Sequence, residues 1–585
     1  MSFPILVHTH YSVGQAFAHP DKLVAKALEY KLPAIALTDR HTLSGVPEFL
    51  ETIQKAKAKG KIIKPVIGCQ FRVFQKYWIT LYAKNLNGWK NLIKILGRST
   101  INTDGNPEVT LKDITANSKD LICCIGGIDS FHLCPEFETY KNELDKVFKG
   151  NLYYVAICNG LASDEEINAS LPNDRVITTT PVYYIEQEDQ ICQQILVCGR
   201  HQKTMSARED IFVDEPSAKM FWDTDANYLY HTDNYPSVPF LDQIEEFVIT
   251  GKPNIPKFSE NSPELLTQLC RKGWNTRKIK EKAGKDESLY QVYVDRIKTE
   301  LSVFANPSLV LADYMLIIYD IMRYARECGS LAGLRGSASG CLVSYLTEIS
   351  DVDPVIPDPT LPYHPGRSLL FERFFNKARL ASLADIDLDL CPSFRPQLKQ
   401  YLVDKYGKDN VAPYIITYNR MDGRGAVREV MRVLESASAD VLTQISTRML
   451  DKAKIQDDLE DIRESKPNYT TIDFNIENIS DIANAAEEYP KEFQLAIRMS
   501  DTIVSAGKHA AAVVISAMPI RDTFPIVLTD DGETMIGVEM EYAEALGAVK
   551  YDLLCVAAYE KILRICEMVN NNLLEPVVVD AKEDD

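Results

Sequence analysis

The chain has 585 residues, 45% hydrophobic and 25% charged, with 64 Lys and Arg set against 83 Asp and Glu. Such a chain is long enough for three or four domains with separate cores, and its composition excludes fibrous and low-complexity classes. The net charge of -19 argues against a uniformly basic polyanion-binding surface, although nucleic-acid recognition depends on where the basic residues sit.

No apolar run reaches the length that a bilayer requires, and Met1-Ser2-Phe3-Pro4-Ile5 does not open a signal peptide. The 13 cysteines form no C-x-x-C pairs, which fits a reduced, cytoplasmic protein with no membrane partner.

The first 250 residues read as one α/β unit. Pro4-Ile5-Leu6-Val7 predicts a strand ending in His8-Thr9-His10, with two imidazoles on one face. A helix is expected from Pro20 to Tyr30, then a strand Ala34-Ile35-Ala36-Leu37 running into Thr38-Asp39-Arg40-His41. After a second helix, Lys64 to Gln70 predicts another strand. Strand, helix and strand at this spacing suggest a βα barrel, whose ligands gather at the C-terminal ends of strands. His8, His10, Asp39 and His41 at two such ends are a candidate metal constellation. The alternative is that each is a capping or hydrogen-bonded polar residue.

This region resembles the PHP (polymerase and histidinol phosphatase) domain, with H-T-H and T-D-R-H matching its first two motifs. The resemblance implies a distorted βα barrel with metal-dependent phosphoesterase chemistry. Four later positions depart from the metal-binding pattern. Gln70 stands where a Glu is expected, Trp78 where a His is expected, and Pro181 with Tyr183 replace an Asp-x-His. Tyr offers no neutral imidazole nitrogen and Pro no side-chain ligand atom. A residual Zn²⁺ or Mn²⁺ in a degenerate site, or a purely structural barrel, is therefore expected over a trinuclear phosphoesterase or proofreading nuclease.

From about residue 257 the pattern turns helical, over Glu264 to Lys278, Ser288 to Phe304 and the apolar stretch that starts at Asp313 and stops at Gly329. Gly333-Leu334-Arg335-Gly336-Ser337-Ala338-Ser339-Gly340 follows, leading into a helical Cys341 to Leu346. Small residues before a helix leave backbone N–H groups where a phosphate can sit, and Arg335 adds a planar charged fork. The spacing is not that of a P-loop or a dinucleotide fingerprint.

The stretch Leu383 to Cys391 reads L-A-D-I-D-L-D-L-C, so Asp385, Asp387 and Asp389 alternate with Ile386, Leu388 and Leu390. A period of two marks a strand with carboxylates on one face, spaced about 6.6 Å apart, where a hard cation can draw their oxygens together. Further on, Tyr414 to Tyr418 predicts a strand, and Arg424, Arg428 and Arg432 share one helix face. Residues 435–500 read as charged helices broken near Pro467 and Pro490. Gly507 to Ile515 returns to strand, and in Gly547 to Leu553 the side chains of Lys550 and Asp552 share a face. A helix over 556–571 and an acidic tail close the chain.

A Gly-Ser turn, an Asp-x-Asp strand and a distant strand Asp are the parts of two-metal phosphoryl transfer, with two Mg²⁺ ions about 3.5–4 Å apart. This requires Asp552 to lie beside Asp387 in the fold.

The motifs R-G-S-A-S-G, L-L-F-E-R-F-F-N, D-I-D-L-D, I-I-T-Y-N-R-M-D-G-R-G-A-V-R-E-V, K-H-A-A-A-V-V-I and V-K-Y-D-L-L then follow in one order. Together they resemble the N-terminal half of the C-family replicative polymerases, the bacterial DNA polymerase III alpha family. The resemblance implies multidomain α/β and α+β architecture: a PHP barrel over 1–250, a polymerase-beta-like nucleotidyltransferase palm over 251–417 and 501–560, a helical thumb over 418–500, and the start of fingers over 561–585. It implies Asp387, Asp389 and Asp552 as catalytic metal ligands with Asp385 close by, and Arg335, Gly336, Ser337 and Lys550 at the triphosphate. Arg428 matches the family's Arg, Arg424 replaces a Lys, and His509 matches the family's His ahead of Ala511-Ala512 in place of Gly-Gly.

Primer-template DNA and deoxynucleoside triphosphates are the implied partners. The chain stops soon after Asp552, so it is expected to be a shortened form or one piece of a polymerase encoded in two chains. A second chain would then carry fingers and a clamp-binding region, and this chain alone would polymerise weakly or not at all. The alternatives are a PHP-type phosphoesterase or exonuclease, and a non-catalytic replication scaffold.

Overall fold

The computed structural model describes residues 2–172, 175–231, 235–306, 310–361, 363–375 and 386–570. They form two compact units: Met1–Ile249 with Ile416–Lys508 and Arg521–Ala543, and Thr250–Ile415 with His509–Ile520 and Glu544–Asp585.

In the first unit six strands are ordered Ala34–Leu37, Lys64–Val73, Tyr77–Ala83, Leu121–Gly126, Leu152–Ile157 and Val176–Thr179. The two outer pairings after Leu121 and the first pairing are parallel, as helical crossovers impose. The two pairings of Tyr77–Ala83 are antiparallel, because a tight reversal with positive φ at Phe74 and Gln75 joins it to its predecessor. The expected strand at Pro4 to Val7 appears only as bridges. Its residues instead close the curl of the sheet. Val7 accepts from Thr38 N–H beyond one edge strand, and beyond the other His8 N–H donates to Val182 while Val182 N–H donates to Leu6. Pro4 has no N–H and cannot extend the ladder.

The segment expected as a separate thumb clusters with the barrel's unit. Helix Gly423–Val433 turns Val427, Val430 and Met431 into a core shared with Ile195, Leu196 and Cys198 of helix Gln190–Arg200. Its apolar residues recur at three and four positions, which leaves Arg424 and Arg428 on the exposed face. The helical run is broken near Pro490 as expected: one helix ends at Glu488 and the next begins at Pro490, where the missing N–H is harmless.

The second unit is built on a five-stranded sheet in the order Val411–Ala412, Ala512–Ile515, Lys550–Cys555, Asp387–Leu390, Ala332–Arg335. Leu388, Leu390, Tyr551, Leu553, Val513 and Ile515 enter one apolar cluster with helix Leu311–Glu327, which contributes Met315, Ile318, Ile321 and Met322. Each fully buried side chain of this size stabilises the fold by about 1.5–3 kcal/mol. The helix ends where Gly329 takes φ +72°, a conformation that costs glycine little.

Candidate active site

The strand Asp387–Leu390 alternates as its sequence predicts, with Leu388 and Leu390 buried and Asp387 and Asp389 partly buried on the other face. Asp385 lies outside the described residues. On one side Asp387 is the register partner of Asp552 in a parallel pairing, and on the other it faces Arg335 in an antiparallel one. Register partners project from the same face of a sheet. A single row therefore runs Ala512, Asp552, Asp387, Arg335, with Asp389 and Lys550 two residues along their strands.

Basic side chains already hold two of the carboxylates. Arg335 Nη2 lies 2.7 Å from Asp389 Oδ1 and its Nε donates to Oδ2 at 3.1 Å. Lys550 Nζ lies 3.2 Å from Asp552 Oδ2 and 3.6 Å from Glu544. Asp552 Oδ1 is buried and has no hydrogen-bond partner among the described residues. An orphaned carboxylate oxygen beside a second aspartate, in an all-oxygen donor set, fits a hard divalent cation. Among the described residues no three carboxylate, imidazole or thiol groups converge as a ready-made metal cluster. The aspartates would have to exchange their Arg and Lys partners to bind ions.

The turn after Arg335 is open. Gly336 takes φ +82° and ψ −158°, a region reserved for glycine, and nothing lies within 4 Å of where a Cβ would stand. Ser337 is half-buried and its hydroxyl makes no hydrogen bond among the described residues. The helix that follows does not match the sequence expectation of a free phosphate cradle. Leu342–Leu346 is only five residues long, and its N-terminal N–H groups are taken. The buried carboxylate of Glu300 accepts from Leu342 at 3.0 Å and Val343 at 2.8 Å. Arg296 joins Glu300 at 3.0 Å and also donates to Gly340 O. Glu300 sits in an ordinary charged helix and carries no sequence signal. Tyr559 was equally unforeseen: its hydroxyl closes on Gly333, the register partner of Asp389, where a side chain would collide.

His509 accepts Ala512 N–H at 3.2 Å on Nδ1, which ties it into the turn ahead of the strand Ala512–Ile515. Arg424 and Arg428 belong to the first unit; Arg424 pairs with Asp451 at 2.9 Å, whereas Arg428 is exposed with no ion pair among the described residues.

Also in the first unit, the four barrel residues divide. Asp39 accepts from Thr9 N–H at 2.6 Å, Thr9 Oγ1 at 2.7 Å and Ser12 Oγ at 2.7 Å, and burial pushes its carboxyl up to about 6. His41 accepts Arg72 N–H on Nδ1, so Nε2 carries the proton toward Ser99 Oγ at 2.8 Å; burial takes its pKa down to about 3. Both are fully committed polar residues. His8 Nδ1 and both nitrogens of His10 are buried without hydrogen-bond partners among the described residues, and desolvation lowers both imidazoles well below their usual range.

Two family models match: the Bacterial DNA polymerase III alpha NTPase domain over residues 264–555 and the PHP domain over residues 5–156. DNA polymerase III subunit alpha of Ureaplasma parvum is 28% identical over 97% of this chain and 51% of its own length. The Bacillus subtilis and Aquifex aeolicus subunits are 28% and 26% identical, over 97% and 98% of this chain and 50% and 53% of theirs. The chain thus spans about half the length of the curated relatives it matches. Among the described residues no helix is long and apolar enough to cross a membrane. With a PHP domain leading into a polymerase III alpha domain, and relatives aligned along nearly all of it, the chain belongs to the DNA polymerase III alpha family.

Proposed function

We propose that this chain carries the nucleotidyl-transfer palm of a replicative DNA polymerase that extends a primer 3′ end with deoxynucleotides. The observation that carries this reading is the pairing of Asp387 with Asp552 in register on adjacent strands. Two Mg²⁺ ions held by Asp387, Asp389 and Asp552, with Asp385 near, would lower the pKa of the attacking hydroxyl and neutralise charge on the leaving pyrophosphate.

The protein's own groups supply positioning. Gly336, lacking a Cβ, lets backbone approach a phosphate, and Ser337 adds a free hydroxyl. Arg335 and Lys550, once released from Asp389 and Asp552, supply a bidentate fork and a point charge for the triphosphate. Arg424, Arg428 and His509 are assigned to the same substrate. Primer-template DNA, a second chain bearing fingers and clamp-binding regions, and a bacterial cytoplasm, of the cell itself or of a phage host, complete the proposal.

The test is primer extension by the complemented enzyme. Asp387→Ala and Asp552→Ala should each abolish synthesis while leaving DNA affinity largely intact. Undiminished synthesis by either variant would refute the assignment and favour a scaffold.

A further inference from the structure

We propose that the guanidinium of Arg40 is a built-in cation at the ligand-gathering end of the barrel, so that the barrel stands without a divalent metal. Arg40 follows the first sheet strand directly and is anchored by its backbone, with its N–H donating to Ser12 Oγ at 3.1 Å. Its side chain donates from Nε to Gln70 Oε1 at 3.3 Å, from Nη1 to Gln15 Oε1 at 2.9 Å, and from Nη2 to the Tyr183 hydroxyl at 3.1 Å. Its Cζ lies 5.1 Å from the ring centre of Trp78 and 5.8 Å from that of Tyr183. Gln70, Trp78 and Tyr183 are three of the four positions that depart from the expected metal-binding pattern. All three now serve one guanidinium.

The chemistry of the set suits a fixed monovalent cation and not a divalent one. Its acceptors are neutral amide and phenol oxygens, its walls are aromatic faces, and no carboxylate pairs with Arg40 among the described residues. Gln70 cannot turn away, since its Nε2 donates to Thr80 Oγ1 at 3.2 Å. Of the remaining candidate ligands, Asp39 and His41 are engaged in internal hydrogen bonds, and His10 packs against His19 with ring centres 4.4 Å apart. His8 stacks on Tyr183 at 4.6 Å in the field of Arg40, which disfavours a second positive charge there. The cavity bounded by His8, Arg40, Gln70, Asn159 and Tyr183 has a volume of about 30 Å³, room for a water molecule or two rather than for a hydrated metal cluster.

The experiment uses the whole chain. Purified from zinc- and manganese-supplemented medium and desalted, the protein is analysed for metal by mass spectrometry and melted with EDTA, with Zn²⁺ and with neither. The expected result is far less than one equivalent of either metal and a melting temperature that neither chelator nor Zn²⁺ moves. Arg40→Met should melt lower, Arg40→Lys should recover part of the loss, and Zn²⁺ should now stabilise the Met variant by engaging the vacated His8. One tightly held equivalent of metal in the wild type, lost on His8→Ala, would overturn the proposal. So would an Arg40→Met variant as stable as the wild type. If that variant fails to fold, the metal content and the Lys variant still decide.

Discussion

Removing the carboxylate of Glu300 tests how the turn beside the aspartates is supported. Glu300 is 0% exposed and receives Leu342 N–H, Val343 N–H, the Cys341 thiol at 3.2 Å and Arg296. A hydrogen bond to a charged group is worth about 1.5–3 kcal/mol, and breaking a buried ion pair by deleting one partner costs about 3–5 kcal/mol. These contributions describe the same group and do not add, so Glu300→Ala should destabilise the second unit by about 3–5 kcal/mol. Glu300→Gln keeps one acceptor but turns an N–H against an N–H, and should fall between. The assay is urea unfolding followed by circular dichroism and by tryptophan fluorescence, with Trp274 reporting on this unit. Arg296 also grips Gly340 O, so the alanine variant should loosen the turn containing Ser337, read as faster amide exchange there. A loss below about 1 kcal/mol in the alanine variant would refute the reasoning.

Further outcomes follow from the same geometry. Gly336→Ala meets no steric neighbour, so its cost is backbone strain alone, about 1–3 kcal/mol, measured as a lowered denaturation midpoint. Arg335 is half-exposed and competes with any cation for Asp389; a pair of that kind is worth about 0.2–1 kcal/mol. Arg335→Ala should therefore tighten Mn²⁺ binding without nucleotide by about 1.4- to 5-fold by calorimetry or spin resonance, and weaker binding would contradict the exchange. For pH, His41 is depressed from 6.5 to about 3, so its contribution to stability is whole above pH 6.5 and is lost as pH falls toward 3. Asp39 runs oppositely, raised from 3.8 to about 6, with its contribution present at low pH and lost as pH rises through 6. Between pH 6 and 4, His41→Gln should flatten the fall in stability by about 1.4 kcal/mol per pH unit, and an unchanged slope in urea titrations would reject this.

The aspartate strand was legible because two periodicities coincide there, acidic on one face and aliphatic on the other, and the structure keeps both. That Val549 to Leu553 is also a strand could be read locally. That it lies parallel to Asp387–Leu390, in the register that aligns 552 with 387, is set by tertiary pairing that no local pattern encodes. Glu300 was invisible for a related reason: its partners are backbone N–H groups of a helix some forty residues on. The barrel's first strand was overread, since Leu6 to His8 bridges two edges rather than pairing along one. Gln70, Trp78 and Tyr183 were read in the sequence as departures from the family's metal-binding pattern, but only coordinates reveal that they converge on Arg40.

The central place of Lys550–Cys555 has a consequence for synthesis. That strand is the only bridge between Ala512–Ile515 and Asp387–Leu390 among the described residues, and it follows both in the chain. A nascent chain emerging from the ribosome holds Asp387 at an unpaired margin until this late segment arrives, and closing so long an excursion is slow. The aspartate row is thus completed only once this later segment has been made, and a chaperone that shields the waiting margin would be expected to raise the yield of competent protein.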